Sequence, residues 1–499
     1  MKLYLSSVAA VVLRKVPQAP LRSLEPANTI MSFGTTEPSV NHKDHLEWSL
    51  GGLGELRVLN HVRLGFVESS VHNAQEVEDR LRKLNFVDFV ETDESTLDLD
   101  EDVNDDSLKG SAESAPSRQL IWTDEEDDWC LKSINLAQAW LHTTGAAQRL
   151  MQVEFGIHEH PELQGQFWIN RSEVQDGLDN DGNNYVDDIS GINLNLGNGD
   201  IGVGGYQWHG TMVAGHMLAR RDAYGVVGVA PDAKLVFCNV SDHLHEVALC
   251  VDYAVSSGVR ALNGSFYVTG SSAAVWIRLL DTLQTHHILW VVASGNQGRE
   301  LTDAEDLWPM RLKHPALFVV GAHDRHERKP YFSNFSSSRV QISAPGVGCR
   351  ALSKPPVWYK YSNGSSVSAP LTTACVALML SLKPDMPLDE VTSILKETAR
   401  PWCSTCPQWS ESGILDCGAA VARAKSFSCL ESGVDYYGND LTRHRVASTA
   451  DCQALCKLNP RCTCFTHKTT ATWSWNCWLK FSDRGRVHKA NLVSGPKVC

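Results

Sequence analysis

The sequence lacks both a long hydrophobic segment and an excess of positive charge. The apolar stretch from Leu3 to Leu13 is too short to span a bilayer, and no later segment has the length and apolarity to do so, so we expect no transmembrane segment. Lysine and arginine number 45 against 58 acidic residues, and the net charge of −13 argues against a nucleic-acid partner. Hydrophobic content of 43% is ordinary for globular material, and 499 residues predict two to four domains.

Cysteine, by contrast, is abundant. The chain has 15 cysteines, and seven of them lie between Cys429 and Cys499. This usage is typical of chains that fold in an oxidising compartment. The apolar stretch after Lys2 fits the hydrophobic part of a weak secretory signal, although no small-residue cleavage site follows it. We therefore expect a secreted or vesicular protein.

A serine-containing turn is the most informative motif. Asn363-Gly-Ser-Ser-Val-Ser-Ala-Pro370 precedes an apolar run from Leu371 to Leu382, which predicts a tight turn that leads into a buried helix. Ser366 then lies at the helix start, where unpaired backbone N–H groups favour a negative charge on a reacting oxygen. Taken alone, a helix N-cap serine is the simpler interpretation.

Two further segments favour catalysis. His209, in Trp208-His-Gly-Thr-Met212, precedes a small apolar stretch that predicts a buried helix, although a lone histidine is usually structural. Asn296 follows the apolar run Ile288 to Ala293, which is typical of a parallel-sheet strand, and α/β sites form at the carboxyl edge of such sheets. A nucleophile, a base and an amide donor are the groups that acyl transfer needs.

In this order, the three segments resemble the subtilisin-like serine protease family. The resemblance covers residues 129–425 and extends to Val226 to Val236, Tyr331 to Phe335 and Ser343 to Gly346. It implies an α/β fold with a doubly wound, mainly parallel sheet of subtilisin type. It also implies Ser366 as nucleophile, His209 as general base and Asn296 as oxyanion donor, with peptides or proteins as substrates.

The third triad position departs from the family. Family members carry an aspartate at the end of the first core strand, and Glu154 occupies that position here, followed by Phe155 in place of a small residue. A glutamate still offers a carboxylate to the histidine, but about 1 Å of misplacement can cost about 100-fold in rate. Tyr267 replaces a glycine, and we expect it to crowd the edge that pairs with a peptide. Two hypotheses stay open: a serine endopeptidase of reduced activity, or a pseudoprotease that binds without cutting.

The residues before the catalytic segment predict three regions. Residues 1–43 are interpreted as the weak signal and a disordered leader. Residues 44–95 combine strand-like stretches with a helical pattern from Ala74 to Leu84, and they resemble the small α+β prodomain of the subtilisin family; an unrelated small domain is the alternative. Residues 96–128 are predicted to be an acidic linker with the maturation site. The resemblance implies a zymogen whose own prodomain is its inhibitor.

An acidic loop from Asp176 to Asp188 carries separate chemistry. Alternating oxygens on a tight loop suit a cation of calcium size. The loop resembles the calcium-binding insert of some subtilisin-like proteases and the first part of an EF-hand loop, so it predicts a structural calcium; a solvated acidic turn is the alternative. The predicted ligands are Asp179, Asp181, Asn183, the Tyr185 carbonyl, Asp187 and Asp188.

The last segment, residues 429–499, resembles a PAN/apple domain, which is a small disulfide-rich α+β unit. PAN domains bind proteins or carbohydrates, so the resemblance implies a ligand of either kind; a purely spacing role is the alternative. The resemblance to a PAN/apple domain implies the disulfides Cys429–Cys499, Cys452–Cys477 and Cys456–Cys462, with Cys464 left over.

Upstream of this segment, Cys403 and Cys406 fit a loop disulfide better than half a zinc site, because a second ligand pair is missing.

Overall fold

The computed structural model describes most of residues 129–499 and seven shorter segments before them. The earlier segments are 10–13, 27–33, 54–58, 64–69, 74–82, 87–92 and 96–99. The positions after 129 that are not described are 203, 205, 223–224, 242, 356, 403–405, 429–430, 470–474, 483 and 497–499. The chain divides into two units, one of residues 1–381 with 386–419 and one of residues 382–385 with 420–499.

The elements are numbered in chain order. The strands are β1 (Ala10–Leu13), β2 (Ala27–Phe33), β3 (Gly54–Val58), β4 (Leu64–Ser69), β5 (Val87–Thr92), β6 (Thr96–Leu99), β7 (Arg149–Glu154), β8 (Gly191–Asn193), β9 (Lys234–Asn239), β10 (Ala261–Gly264), β11 (Phe266–Thr269), β12 (Leu289–Ala293), β13 (Leu317–His323), β14 (Ile342–Pro345), β15 (Cys349–Leu352), β16 (Tyr359–Ser362), β17 (Glu431–Tyr436), β18 (Asp440–His444), β19 (Cys464–Lys468), β20 (Cys477–Lys480) and β21 (Arg486–Pro496). The helices are α1 (Ala74–Leu81), α2 (Trp129–Ser133), α3 (Leu136–Ala139), α4 (Gln207–Leu218), α5 (Leu244–Ser256), α6 (Ala273–Thr285), α7 (Ser365–Leu382), α8 (Leu388–Glu397), α9 (Cys417–Ser428) and α10 (Thr449–Leu458).

The centre of the first unit is a parallel sheet with strand order β14-β13-β12-β10-β7-β9-β8. Its central strands are apolar and buried along their length, as expected for strands covered on both faces. The predicted mainly parallel, doubly wound α/β fold is confirmed. Because β7, β10 and β12 are parallel neighbours, the residues that follow them meet at one edge of the sheet.

The first unit has another sheet, in the order β1-β5-β2-β4-β3, which packs against α1 in a small α+β arrangement. Strands β1 and β2 fall within residues 1–43, so the predicted disordered leader is wrong for these two segments. Both strands pair with β5 and with each other. Their apolar and β-branched residues, such as Val11 and Ile30, suit a half-buried pleated surface.

Helix α7 is, among the described residues, the helix long and apolar enough to cross a membrane, and 89% of it is buried inside the protein. A helix that is apolar on every side is typical of a protein core.

The second unit is an antiparallel sheet in the order β17-β21-β19-β20-β18, against which α10 packs. Its core combines Phe465 and Leu479 with half-cystines. A capping box between Ser448 and Asp451 starts α10. The predicted small, disulfide-rich α+β domain is confirmed.

Disulfide bonds occur in both units. The second unit joins Cys452 to Cys477 and Cys456 to Cys462, while Cys464 is buried. Cys429 and Cys499 lie outside the described residues. The first unit joins Cys130 to Cys349 and Cys238 to Cys250. Cys406 is disulfide-bonded, Cys403 lies outside the described residues, and Cys375 and Cys417 are buried thiols.

Candidate active site

Three loops meet at the carboxyl edge of the central sheet. β7 ends at Glu154, β10 at Gly264 and β12 at Ala293, and β10 lies between the other two strands. Neighbouring strands are about 4.8 Å apart. Asn296 follows β12 by three residues. These positions lie at the edge where α/β proteins hold ligands and reacting groups.

Glu154 and His209 form a buried pair at this edge. His209 is the third residue of α4, and its Nδ1 lies 2.7 Å from Glu154 Oε2, with both side chains fully buried. The other oxygen, Oε1, accepts the backbone N–H of Phe155 at 3.1 Å. Gly210 allows this close approach, because a Cβ at that position would lie 2.8 Å from Glu154 Cγ. The pair commits Nδ1 to the carboxylate, so proton exchange falls to Nε2.

Ser366 is the second residue of α7, and its side chain is buried. Within the described part of the chain, its Oγ has no hydrogen-bond partner. Its carbonyl accepts a hydrogen bond of 3.3 Å from the hydroxyl of Ser265, which directly follows β10. Ser366 is thereby held at the carboxyl end of β10, which lies between β7, the strand that ends at Glu154, and β12, the strand that precedes Asn296.

Gly364 leaves a space between Ser366 and Asn296. A Cβ on Gly364, whose φ is +144°, would lie 2.8 Å from Ser366 Oγ and 3.2 Å from Asn296 Nδ2. Both polar atoms therefore line one small space that glycine keeps open. The geometry suits an oxygen that receives a hydrogen bond from the Asn296 amide while its carbon is attacked by Ser366.

Ser365 fixes which way the Asn296 amide points. Asn296 Oδ1 accepts hydrogen bonds from the Ser365 backbone N–H at 2.9 Å and from its hydroxyl at 3.0 Å. The hydroxyl in turn accepts the N–H of Gly295 at 3.1 Å. With Oδ1 occupied in this way, the amide NH₂ is directed towards the space beside Gly364. Sequence reasoning missed this role of Ser365, because it depends on a contact across 69 residues.

A strand from the region before the catalytic segment pairs at the same edge. β6 lies antiparallel to β11, with Leu99 opposite Phe266 and Thr96 opposite Thr269. β11 begins directly after Ser265, whose hydroxyl contacts the Ser366 carbonyl. The carboxyl end of β6 lies opposite the start of β11, so β6 runs towards Ser366. Leu97 of β6 is only 4% exposed.

Tyr267 does not crowd this edge, so that expectation is wrong. It pairs with Asp98 of β6 in an unbroken register. The reason is geometric: strand side chains point out of the plane of the sheet, whereas pairing uses the backbone edge.

The acidic loop forms a cluster of three carboxylates. Oxygens of Glu173, Asp181 and Asp188 lie within 4.8 Å of one another. Glu173 Oε2 is buried without a hydrogen-bond partner in the described part of the chain. Burial raises the pKa of Asp188 to about 6, although hydrogen bonds from Tyr253 and Asn183 favour its charged form. Two buried carboxylates, Glu173 and Asp188, converge with the exposed Asp181, and one of their oxygens is unsatisfied; this set of oxygens matches the donors that calcium prefers.

The other predicted ligands lie differently. Asp179 accepts backbone N–H bonds from Gly182 and Asn184, and Asp187 accepts them from Asp176 and Gly177. These carboxylates brace the loop and are not part of the three-carboxylate cluster. Asn183 donates to Asp188 at 3.0 Å, and the ring of Tyr185 packs edge-on against Tyr253. Glu173 was missed because it precedes the alternating acidic pattern in the sequence.

The fold and this edge together define an α/β protein with a serine, a histidine and a carboxylate at the carboxyl ends of parallel strands. The model of the Subtilase family, peptidase S8, matches residues 153–444, which is more than half of the chain. The chain therefore belongs to the subtilase family. The model of a PAN domain matches residues 434–480.

Individual relatives agree with this assignment. The chain is 28% identical over 307 residues to subtilisin-like protease 1 of Plasmodium berghei, covering 56% of this chain and 50% of that protein. It is 30% identical over 197 residues to subtilisin E of Bacillus subtilis, covering 38% of this chain and 50% of that protein. The chain thus spans about half the length of the curated relatives it matches. The crystal structure of fervidolysin from Fervidobacterium pennivorans, described as a keratinolytic enzyme related to subtilisin, shares the fold with a TM-score of 0.62 at 17% identity, covering all of this chain and 73% of that one.

Proposed function

We propose that the protein is a serine endopeptidase that hydrolyses peptide bonds through an acyl-enzyme on Ser366. The observation that carries the proposal is the 2.7 Å contact between Glu154 and His209 in a fully buried setting. A carboxylate on Nδ1 orients the imidazole and stabilises the cation that forms when Nε2 accepts a proton. The expected aspartate is thus replaced by a glutamate that keeps the same contact.

The proposed reaction has two halves. The Ser366 hydroxyl attacks the carbonyl carbon of the substrate and gives its proton to His209 Nε2, while the carbonyl oxygen gains negative charge beside Asn296 Nδ2. His209 then protonates the leaving amine as the C–N bond breaks, which leaves an ester on Ser366. In the second half, His209 takes a proton from water while the water oxygen attacks the ester carbonyl. The bond from this carbon to Ser366 Oγ then breaks, His209 returns the proton to Ser366, and the carboxylic acid product leaves.

Proteolysis of an unstructured protein by the refolded chain tests this function, with Ser366→Ala as the control. A fluorophosphonate probe supplies a second readout, because it labels only a serine that a base has activated. We expect cleavage and labelling in the wild type and neither in the variant. A chain that neither cleaves nor labels would instead be a pseudoprotease that binds peptides at this edge.

We further propose that the prodomain inhibits the enzyme together with β6, the strand at the start of the predicted linker. Support comes from its antiparallel pairing with β11, beside Ser265, and from the burial of Leu97. An extended segment that adds to a sheet edge uses backbone hydrogen bonds for affinity and alternate side chains for specificity. Cleavage downstream of β6 in the linker, residues 96–128, would let this strand leave with the prodomain and open the edge to substrate.

A structural calcium is proposed for the acidic loop. Glu173, Asp181 and Asp188 would hold the ion, and Asn183 and the Tyr185 carbonyl remain candidate neighbours. The cation would neutralise carboxylates that otherwise repel one another, which stabilises the loop and gives it no part in peptide hydrolysis.

We infer secretion or a vesicular location from the disulfides in both units, which favour an oxidising compartment. Protein substrates fit the protease fold, and the PAN module would supply a binding surface for protein or carbohydrate.

A further inference from the structure

Lys360 reaches the residue that precedes the candidate base. Its Nζ lies 4.0 Å from the ring centroid of Trp208. The Trp208 ring in turn meets the His209 ring edge-on, with centroids 5.4 Å apart and planes at 90°. Both Trp208 and Lys360 are half-buried.

This contact joins the two chain segments that supply the reacting groups. Lys360 lies in β16, six residues before Ser366, and Trp208 lies in α4, one residue before His209. An ammonium group over the face of an indole is attracted to it, and more strongly when water is partly excluded. The contact therefore holds β16, the strand that leads into the turn before Ser366, against the first turn of α4.

The ammonium charge also acts on α4. The two ring distances put Nζ within about 10 Å of the His209 ring. Further along the same helix, burial lowers the pKa of His216 to about 4, and the charge of Lys360 adds to that lowering. Glu154 from β7 contacts His209 and favours the imidazolium, whereas the charge of Lys360 from β16, within about 10 Å, disfavours it.

We propose that Lys360, acting through Trp208, is a positioning residue that aligns His209 with Ser366 and keeps the imidazole neutral enough to act as a base. This inference rests on the proposed function and names a residue that affects how His209 serves as the base. Lys360 does not touch substrate in this proposal, and its effect passes through Trp208 and through its charge.

The test compares Lys360→Met with Lys360→Arg. Each variant is produced as the full chain and is labelled after the cleavage in residues 96–128 has taken place. Methionine keeps an unbranched apolar stem without the charge, whereas arginine keeps both the charge and the stacking contact. The readout is the rate of fluorophosphonate labelling of Ser366 against pH, because its acid limb reports the protonation of the base. Thermal melting of each variant records any loss of stability.

We expect the acid limb of Lys360→Met to move up by about half a pH unit at low salt, as loss of a positive charge at this distance should raise the pKa of His209. The shift should shrink at 1 M salt, where exposed charges are screened. Lys360→Arg should keep the wild-type midpoint.

Two results would overturn the inference alone. One is an unshifted midpoint in Lys360→Met; the other is a midpoint in Lys360→Arg that shifts as far as that of Lys360→Met, since arginine keeps the charge. A wild-type chain that is never labelled at any pH would overturn the proposed function, and the inference with it.

Discussion

The carboxylate of Glu154 meets the imidazole of His209 at 2.7 Å although it is one methylene longer than the aspartate that subtilisin-like proteases carry. Two backbone features accommodate the extra length. Gly210 presents no side chain beside Glu154 Cγ, and the N–H of Phe155 holds the second oxygen. The backbone around Glu154 and His209 therefore suits a glutamate at position 154.

Shortening or neutralising this acid should slow hydrolysis. Glu154→Gln should lower kcat by about 10⁴-fold, because the charge that stabilises the imidazolium is lost. Glu154→Asp should lower it by about 100-fold, because the carboxylate withdraws by roughly a bond length. Steady-state cleavage of a peptide substrate measures both. Glu159→Gln, an exposed acid on the same loop, is the matched control; an aspartate variant faster than the wild type would show that this backbone does not favour glutamate.

The Asn296 amide should matter mainly in the transition state. Asn296→Ala should lower kcat by about 100-fold to 1000-fold and leave KM nearly unchanged, since the amide stabilises charge that develops only during attack. Ser365→Ala, which removes the hydroxyl hydrogen bond to Asn296 Oδ1 but keeps the backbone one, should give a smaller loss. Kinetics beside circular dichroism melts check that both variants stay folded, and full kcat in Asn296→Ala would remove the amide from the proposed mechanism.

The acidic loop should give stability a pH dependence that calcium reverses. Asp188 has a pKa of about 6 in the folded chain, whereas an unfolded aspartate has about 4. Between these values the folded state binds the extra proton, so the contribution of Asp188 to stability should fall as pH rises from 4 to 6 in the chelated protein. Calcium binds the ionised form, so its stabilisation should grow over the same window.

Thermal melts with calcium or with a chelator measure this effect. At pH 7 we expect calcium to raise Tm by about 5 °C. Asp188→Asn should abolish both the pH slope and the calcium response, while Asp176→Asn, an exposed acid of the same loop, should keep them. Equal melting temperatures with and without the ion would leave a solvated acidic turn as the better explanation.

The inhibitory strand should depend on its buried leucine. Leu97→Asp places a charge at a site that is 4% exposed, so β6 should dissociate from β11 more readily. We expect labelling of Ser366 in the unprocessed chain to rise at least tenfold. Thr96→Ser keeps the strand and should label like the wild type. Unchanged labelling of Leu97→Asp would argue that β6 does not cover the site.

The sequence predicted the central sheet and several of the side chains brought together at its edge, because Glu154, His209, Asn296 and Ser366 each lie beside an apolar element of recognisable periodicity. Other features depend on contacts between distant residues. β1 is a run of four residues whose partner Val90 lies far along the chain. Its four apolar residues also fit the hydrophobic part of a secretory signal, so the local pattern alone does not identify a strand.

The same reason explains the missed cluster member. Glu173 lies outside the alternation of the acidic loop, and only folding brings it to Asp181 and Asp188. Tyr267 shows the opposite error, since the size of its side chain predicts a blocked edge, whereas the backbone alone forms the pairing.

The bond between Cys130 and Cys349 determines what a cut in residues 96–128 can liberate. Residues 1–129 contain no cysteine, so their covalent link to the rest of the chain is the peptide backbone, and β6 is held to β11 by hydrogen bonds. Once that backbone is severed, the upstream fragment can diffuse away, while the newly exposed amino terminus stays tethered to β15 by sulfur.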